Sequence, residues 1–170
     1  MSALPYISVC VANYQGTAVL ARCLDSLLEQ VCDVAVEIIV YDDASPDGSA
    51  AIVRECYPAV RLIAGERNVG YCRANRIMVE QAQGEYVLLF NNDAWLLPGS
   101  LQSLLDAARA TGIPAILGLP QFNAATGGLE DRGRVIDPFF NAVPNLDSER
   151  RDVAMVAGAC LWLPKHLWQQ

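Results

Sequence analysis

The 170-residue sequence predicts an α/β fold, a mainly parallel sheet with helices on both faces. Three observations carry that expectation. Short β-branched runs alternate with stretches whose apolar residues recur at helical spacing, and the alternation persists as far as Pro120. Gly and Pro punctuate the joins between them. At 53% hydrophobic and 18% charged residues, the composition supports a buried core and argues against disorder. Length alone predicts one domain, residues 1–170.

The first strand is "YISVCVANY", residues 6–14, short and bounded by Pro5 and Gly16. Val19, Leu20, Cys23, Leu24, Leu27, Leu28 and Val31 then recur as one face of an amphipathic helix. "VAVEIIVYDD" is the second strand. Ser45 and Pro46 supply an N-cap and a first-turn proline for a helix running through Cys56. "VRLIA" is the third strand, and the loop "GERNVGYCRAN" leads into a helix reaching about Gln83, with Gly84 as its stop. "EYVLLFNN" is the fourth strand, residues 98–110 form another helix ended by Gly112, and "PAILGLP" is expected as a fifth strand. Beyond Pro120 the rhythm breaks. "NAATGGLEDRGRVIDPFFNAVPN" combines turn residues with alternation, which suggests hairpins or a lid-like excursion. "RDVAMVAGACLWLPK" returns to a buried strand. The tail "LWLPKHLWQQ" is unusually apolar for a terminus, so the expectation is the N-terminal part of a longer protein. His166, the only histidine, falls in that tail and reads as a solvated residue.

A formal charge of -7 and a pI near 4.6 disfavour nucleic acid and anionic lipid as general partners. The six cysteines show no C-x-x-C spacing, and Cys10, Cys23 and Cys160 sit in apolar patterns, as small core residues in a reducing compartment do. The N-terminus lacks the basic start of a signal peptide, and no apolar run approaches the ~18 residues of a membrane helix. A cytoplasmic location is expected, with peripheral membrane association of a longer protein left open.

In open parallel sheets, ligands bind at the carboxyl ends of the strands. Those ends are polar here: Asn13 and Tyr14 after the first strand, Asp42 and Asp43 after the second, Asn91, Asn92 and Asp93 after the fourth. Helix capping and Asx-turns account for any one of them. Three at one sheet edge point to a shared pocket. Carboxylate and amide oxygens suit Mg²⁺ or Mn²⁺, and with Asp93 the only full charge at its site, a diphosphate would have to complete the coordination. Asp42 suits the edge of a base or a ribose. Arg67, Arg73 and Arg76 flank Asn68 and Gly70 at a helix start, a reasonable anion site, with Arg73 favoured. G-x-G-x-x-G, the P-loop pattern and G-x-S-x-G are all absent.

Taken together, these segments resemble family 2 glycosyltransferases. "ISVCVANYQG" is similar to the family's "VSVVIVNYN", "VYDDASPDGS" to "VVDDGSTDGS", and "RNVGYCRANR" to N-x-G-x-x-x-A-x-N. "LLFNNDAWLLPGSL" resembles its D-x-D segment "LLNNDTVLPPGWL", and "VAGACLWLPK" its later strand "VSGACMLIRR". The resemblance covers nearly the whole chain and implies a GT-A, Rossmann-like fold binding a nucleotide sugar. It implies that Ala12, Asn13, Tyr14 and Asp42 hold base and ribose, that Asn92 lies near ribose or sugar, and that Asp93 ligates the metal. Asn68, Gly70, Arg73 and Asn91 complete the expected donor site, with Gly158 and Ala159 near the sugar. UDP- and dTDP-sugars are the expected donors, and a saccharide or lipid-linked molecule the acceptor of an inverting transfer.

The departures are specific. Asn91 and Asn92 stand at the first and middle D-x-D positions, as in a subgroup resembling rhamnosyltransferases, and Arg76 replaces the last Asn of A-x-N. The family's catalytic base follows the "GAC" strand, beyond Gln170, and Glu130 and Asp131 read as loop residues. The expectation is donor binding with poor turnover by these 170 residues. The alternative is a nucleotide- or sugar-binding module without transferase activity.

Overall fold

The computed structural model describes residues 6–138, 140–147, 149–150, 152–156 and 158–169. β1 (Ile7–Asn13), α1 (Leu20–Leu28), β2 (Val36–Asp42), α2 (Ser49–Cys56), β3 (Arg61–Ala64), α3 (Tyr71–Gln81), β4 (Tyr86–Asn91) and α4 (Ser100–Thr111) alternate as the periodicity predicts. Four short strands follow: β5 (Gln121–Phe122), β6 (Leu129–Asp131), β7 (Arg134–Ile136) and β8 (Ala142–Pro144). β9 (Cys160–Pro164) and a 3₁₀ turn, Lys165–Gln169, complete the described chain. The main sheet has the order β3-β2-β1-β4-β9, with β9 antiparallel to β4 and the other neighbours parallel. β5–β6 and β7–β8 pair as separate antiparallel hairpins. This is the mainly parallel α/β sheet that the sequence predicts.

Strand alternation divides the core into two layers. Ile7, Val9 and Val11 of β1 face Leu20 and Leu24 of α1, Val53 of α2, and Leu101 and Leu105 of α4. Cys10, Ile39 and Leu89 face Ala74, Met78 and Val79 of α3. Both sheet faces are therefore covered, and truncating a fully buried residue such as Leu24 or Leu105 to Ala costs about 2–5 kcal/mol. Among the described residues, no helix is long and apolar enough to cross a membrane.

Four boundaries differ from expectation, each for a local reason. α1 ends at Leu28, leaving Val31, nominally on its apolar face, 83% exposed in the following loop. α2 begins at Ser49, three residues after Pro46, because the Asp47 carboxylate accepts from the Ser49 amide and hydroxyl while Ser45 turns back to β1. Gly84 does not end α3, which stops at Gln81; its amide donates to Ser8 Oγ at 2.8 Å. The expected fifth strand at 114–120 reduces to one bridge, Leu117 exchanging two 2.9 Å backbone bonds with Trp162. Pro114 and Pro120 lack the amide protons a ladder needs, and β9 takes that place beside β4. Gly112, in contrast, ends α4 in the left-handed conformation (φ +64°) that the sequence anticipates.

Candidate functional site

Register places the polar strand ends side by side. Asn13 lies opposite Asp42 across β1–β2, and Ala12 opposite Asn91 across β1–β4. The side chain of Asn13 is buried and uses both ends of its amide. Its Nδ2 donates to Asp42 Oδ2 (2.8 Å) and Ser49 Oγ (2.9 Å), and its Oδ1 accepts from Asn92 Nδ2 (2.8 Å). Asp42 is 2% exposed and also accepts from the Ser45 amide (2.9 Å) and Ser49 Oγ (3.3 Å). Its carboxylate is thus engaged by the fold itself, as buried charges generally are.

The neighbouring carboxylate, named with Asp42 at the end of the second strand but given no role there, has an equally definite task. Asp43 accepts from the amides of Val69 (2.6 Å) and Gly70 (2.8 Å), tying the end of β2 to the start of α3. The second acidic residue of "DD" was the available sequence signal. Negative charge there stabilises the helix start and weakens its attraction for another anion, so a phosphate is better received elsewhere.

Such a place opens at the end of β4. A cavity of about 410 Å³ is lined by Ala12, Tyr71, Asn91, Asn92, Asp93, Gly158 and Ala159. Six of these, Ala12, Asn91, Asn92, Asp93, Gly158 and Ala159, belong to the expected donor site. Asn13 and Asp42 form the buried layer beside them. Tyr14, Asn68 and Arg73 are exposed outside this lining, and Gly70 sits at the head of α3. Arg73 and Arg67 lie within electrostatic reach of the Tyr41 phenol, whose pKa burial raises and the two guanidinium groups lower. Arg76 pairs with Glu80 on the outer face of α3 (2.7 Å).

Tyr71 is the lining residue that motif reading missed. Its hydroxyl lies 3.2 Å from Asn91 Oδ1 and 3.3 Å from the Gly158 carbonyl, bridging the end of β4 to the segment entering β9. Burial raises the Tyr71 pKa, so the phenol remains a neutral donor. Asn91 is held as well by its backbone amide, which donates to Ala159 O (3.1 Å).

Among the described residues, no three His, Cys, Asp or Glu side chains gather as a metal site. Asp93 is the one carboxylate lining this cavity, which Asn91 and Asn92 line as well. One charge and neutral oxygens fit a hard divalent cation when ligand phosphates supply the remaining positions.

A larger cavity, about 800 Å³, shares Asp93 and Ala159 with the first and extends to Arg22, Trp95, Phe122 and Glu130. The Arg22 guanidinium stacks 3.4 Å from the Trp95 ring centroid. Glu130, expected in a loop, lies on β6 and accepts from Asn123 Nδ2 (2.8 Å).

Comparison with known proteins agrees with this fold. Residues 8–165 match the model of glycosyl transferase family 2. The succinoglycan biosynthesis protein ExoO of Rhizobium meliloti is 33% identical over 64% of this chain and 31% of its own length. The N-acetylglucosaminyl-diphospho-decaprenol L-rhamnosyltransferase of Mycobacterium tuberculosis is 26% identical over 98% of this chain and 63% of its own. The mannosyltransferase PcManGT of Pyrobaculum calidifontis, solved with GDP-Man and Mn²⁺, superposes with a TM-score of 0.71 at 18% identity, covering 99% of this chain and 47% of that one. The chain therefore spans less than two thirds of the length of each of these three proteins.

Proposed function

Because the chain belongs to glycosyl transferase family 2, we propose that it binds a nucleotide-sugar donor at the carboxyl ends of β1 and β4. In the full-length protein the sugar passes with inversion to a saccharide or lipid-linked acceptor. The observation that carries this reading is the single cavity lined by Asn91, Asn92 and Asp93 together with Gly158 and Ala159. UDP- and dTDP-sugars are the proposed donors.

Base and ribose lie toward Ala12, Asn13 and Tyr14, with Asn68, Gly70 and Arg73 at the nucleotide's outer side. Asp42 acts as a positioning residue, since its oxygens already bond to Asn13, Ser45 and Ser49. Asp93, aided by Asn91 and Asn92, would hold Mg²⁺ or Mn²⁺; the Mn²⁺ present with GDP-Man in the Pyrobaculum structure supports this choice. Bound there, such an ion would supply positive charge to the diphosphate. Neutral asparagines orient the donor without adding negative charge beside it.

The larger cavity admits the acceptor, because it meets the donor cavity at Asp93 and Ala159. In the transfer, the acceptor oxygen bonds to the anomeric carbon as that carbon's bond to the diphosphate breaks, and the hydroxyl proton passes to a base. Asp93 is given to the metal and Glu130 is held by Asn123, so turnover by these 170 residues is weak. The buried free thiols favour a reducing, cytoplasmic setting.

A thermal-shift panel of UDP, GDP and dTDP, with and without Mn²⁺ or Mg²⁺, tests the reading. The expected result is a metal-dependent rise in Tm that Asp93→Ala removes. Metal-independent binding with no donor hydrolysis would indicate a binding module instead. No shift with any nucleotide overturns the donor site altogether.

A further inference from the structure

We infer that the larger cavity selects an acceptor carrying a negatively charged group, and that Arg22 is the residue that reads the charge. The inference rests on the acceptor assignment proposed above and narrows the class of molecule that enters.

Arg22 belongs to α1 and lines the cavity of about 800 Å³ together with Trp95, Phe122, Asn123 and Glu130. It does not line the donor cavity. Its guanidinium stands 3.4 Å from the centroid of the Trp95 ring. Stacking occupies one face of the planar group and leaves its in-plane N–H donors uncovered by the ring. Arg61, Arg76 and Arg109 reach Glu37, Glu80 and Asp33. Arg22 differs: among the described residues, no carboxylate comes within ion-pair distance of it. The chain has 19 acidic residues against 12 Lys and Arg, so partners were not in short supply. A held guanidinium with free donors, lining a cavity, is suited to an incoming anion.

The two carboxylates that share the cavity are engaged elsewhere. Glu130 accepts from Asn123 Nδ2 at 2.8 Å. Asp93 lies where the two cavities meet and is assigned to the metal, whose charge offsets its own. α1 passes close to that junction, since burial and then the Asp93 charge raise the pKa of Cys23, the neighbour of Arg22. An anion at Arg22 therefore places the rest of the acceptor within the cavity that opens toward Asp93 and Ala159.

The remaining lining suits a sugar. Phe122 is 51% exposed, leaving ring surface for the C–H face of a pyranose. Asn123 and Glu130 add hydrogen-bonding groups for hydroxyls. A guanidinium fork matches the paired oxygens of a phosphate or a carboxylate. A phosphate linking the acceptor to its carrier and an acidic sugar both supply them.

The test titrates the 170-residue chain and its Arg22→Gln variant with methyl glucoside, glucose 1-phosphate and methyl glucuronide. Affinities are read by chemical-shift titration with Mg²⁺ and whichever of UDP, GDP or dTDP stabilises the chain most, so that the nucleotide occupies the donor site. At least one charged probe is expected to bind about tenfold more tightly than methyl glucoside. Arg22→Gln should remove that preference while keeping the affinities for methyl glucoside and for the nucleotide within about twofold. Preference for the phosphate identifies a phosphate-linked acceptor, and preference for the carboxylate an acidic saccharide. Binding by no probe, equal binding of neutral and charged probes, or a preference that survives in Arg22→Gln overturns the inference and leaves the donor site standing. Equal loss on all three probes would make Arg22 a packing residue, and loss of nucleotide affinity would make it a donor residue; either overturns the inference. If no nucleoside diphosphate binds the unsubstituted chain, the donor site fails and the acceptor assignment with it.

Discussion

Asn92 Nδ2 donates to Asn13 Oδ1 at 2.8 Å, so an amide buried at the end of β1 sets the direction of an amide at the tip of β4. Asn13 is joined on its other side to Asp42 and Ser49. The three strand ends thus act as one unit, and disturbing any member reaches the cavity.

Asn13→Ala removes the centre of that unit. Asp42 stays buried without one of its donors, and Asn92 loses its anchor. The expected loss is about 2–4 kcal/mol of stability, read from the urea midpoint at unchanged m-value. The nucleotide-induced thermal shift should fall with it, because Asn92 is then free to reorient.

Gly16→Ala acts on the same contact from outside. A Cβ at this position would stand 2.0 Å from Asn13 Oδ1 and 2.7 Å from Asn92 Nδ2, inside van der Waals contact of both. The variant is expected to lose about 1–3 kcal/mol through crowding. A variant as stable as the parent in urea, with the same nucleotide shift, would show that the Asn13–Asn92 bond has no part in the site.

Acid stability should depend on Asp47. Hydrogen bonds from Ser49 and then Thr17 hold its carboxyl well below the usual carboxylate range. Because the folded pKa is lowered, the contribution is fully present above the unfolded value of about 4 and is lost as pH falls toward the folded one. Tm should therefore decline between pH 4 and pH 2. Asp47→Asn should melt lower at pH 7 and show a shallower decline over that interval, measurable by calorimetry.

The thiols should separate into reactive and silent groups. Burial, the dominant cause in each case, pushes Cys10, Cys23 and Cys160 up to about 12. Cys56 and Cys72 are exposed, with Cys32 intermediate. At pH 8, a thiol-disulfide reagent should label Cys56 and Cys72 rapidly and Cys32 more slowly. The remaining three should react only after unfolding, because the thiolate is the reactive form. Prompt labelling of all six by mass spectrometry would contradict this core.

Much of the architecture was legible because its signals are local. Period-2 and period-3.6 patterns within ten or so residues identify β1, β2, β4, α1, α3 and α4 without knowledge of their neighbours. Right-handed parallel connection then brings the carboxyl ends of β1, β2 and β4 to one edge, so the polar residues ending them converge. Turn residues and alternation after Pro120 also announced the late hairpins, but not their strand bounds, and Glu130 read as a loop residue because a three-residue strand carries too little periodicity.

The sequence by itself determined the fold class, the sheet edge where the polar strand ends gather, and Asn91, Asn92 and Asp93 among them. Tertiary structure alone decided how those residues are used. β9 rather than residues 114–120 pairs with β4, because prolines deny the nearer segment its ladder bonds. Asp42 is consumed by Asn13 and Ser49, and Asp43 by the head of α3. Tyr71 reaches the cavity, bonding to a residue 20 positions away and another 87 away. Propensity and periodicity act over a few neighbours, whereas the partner of a polar atom depends on which distant segment the sheet order sets beside it.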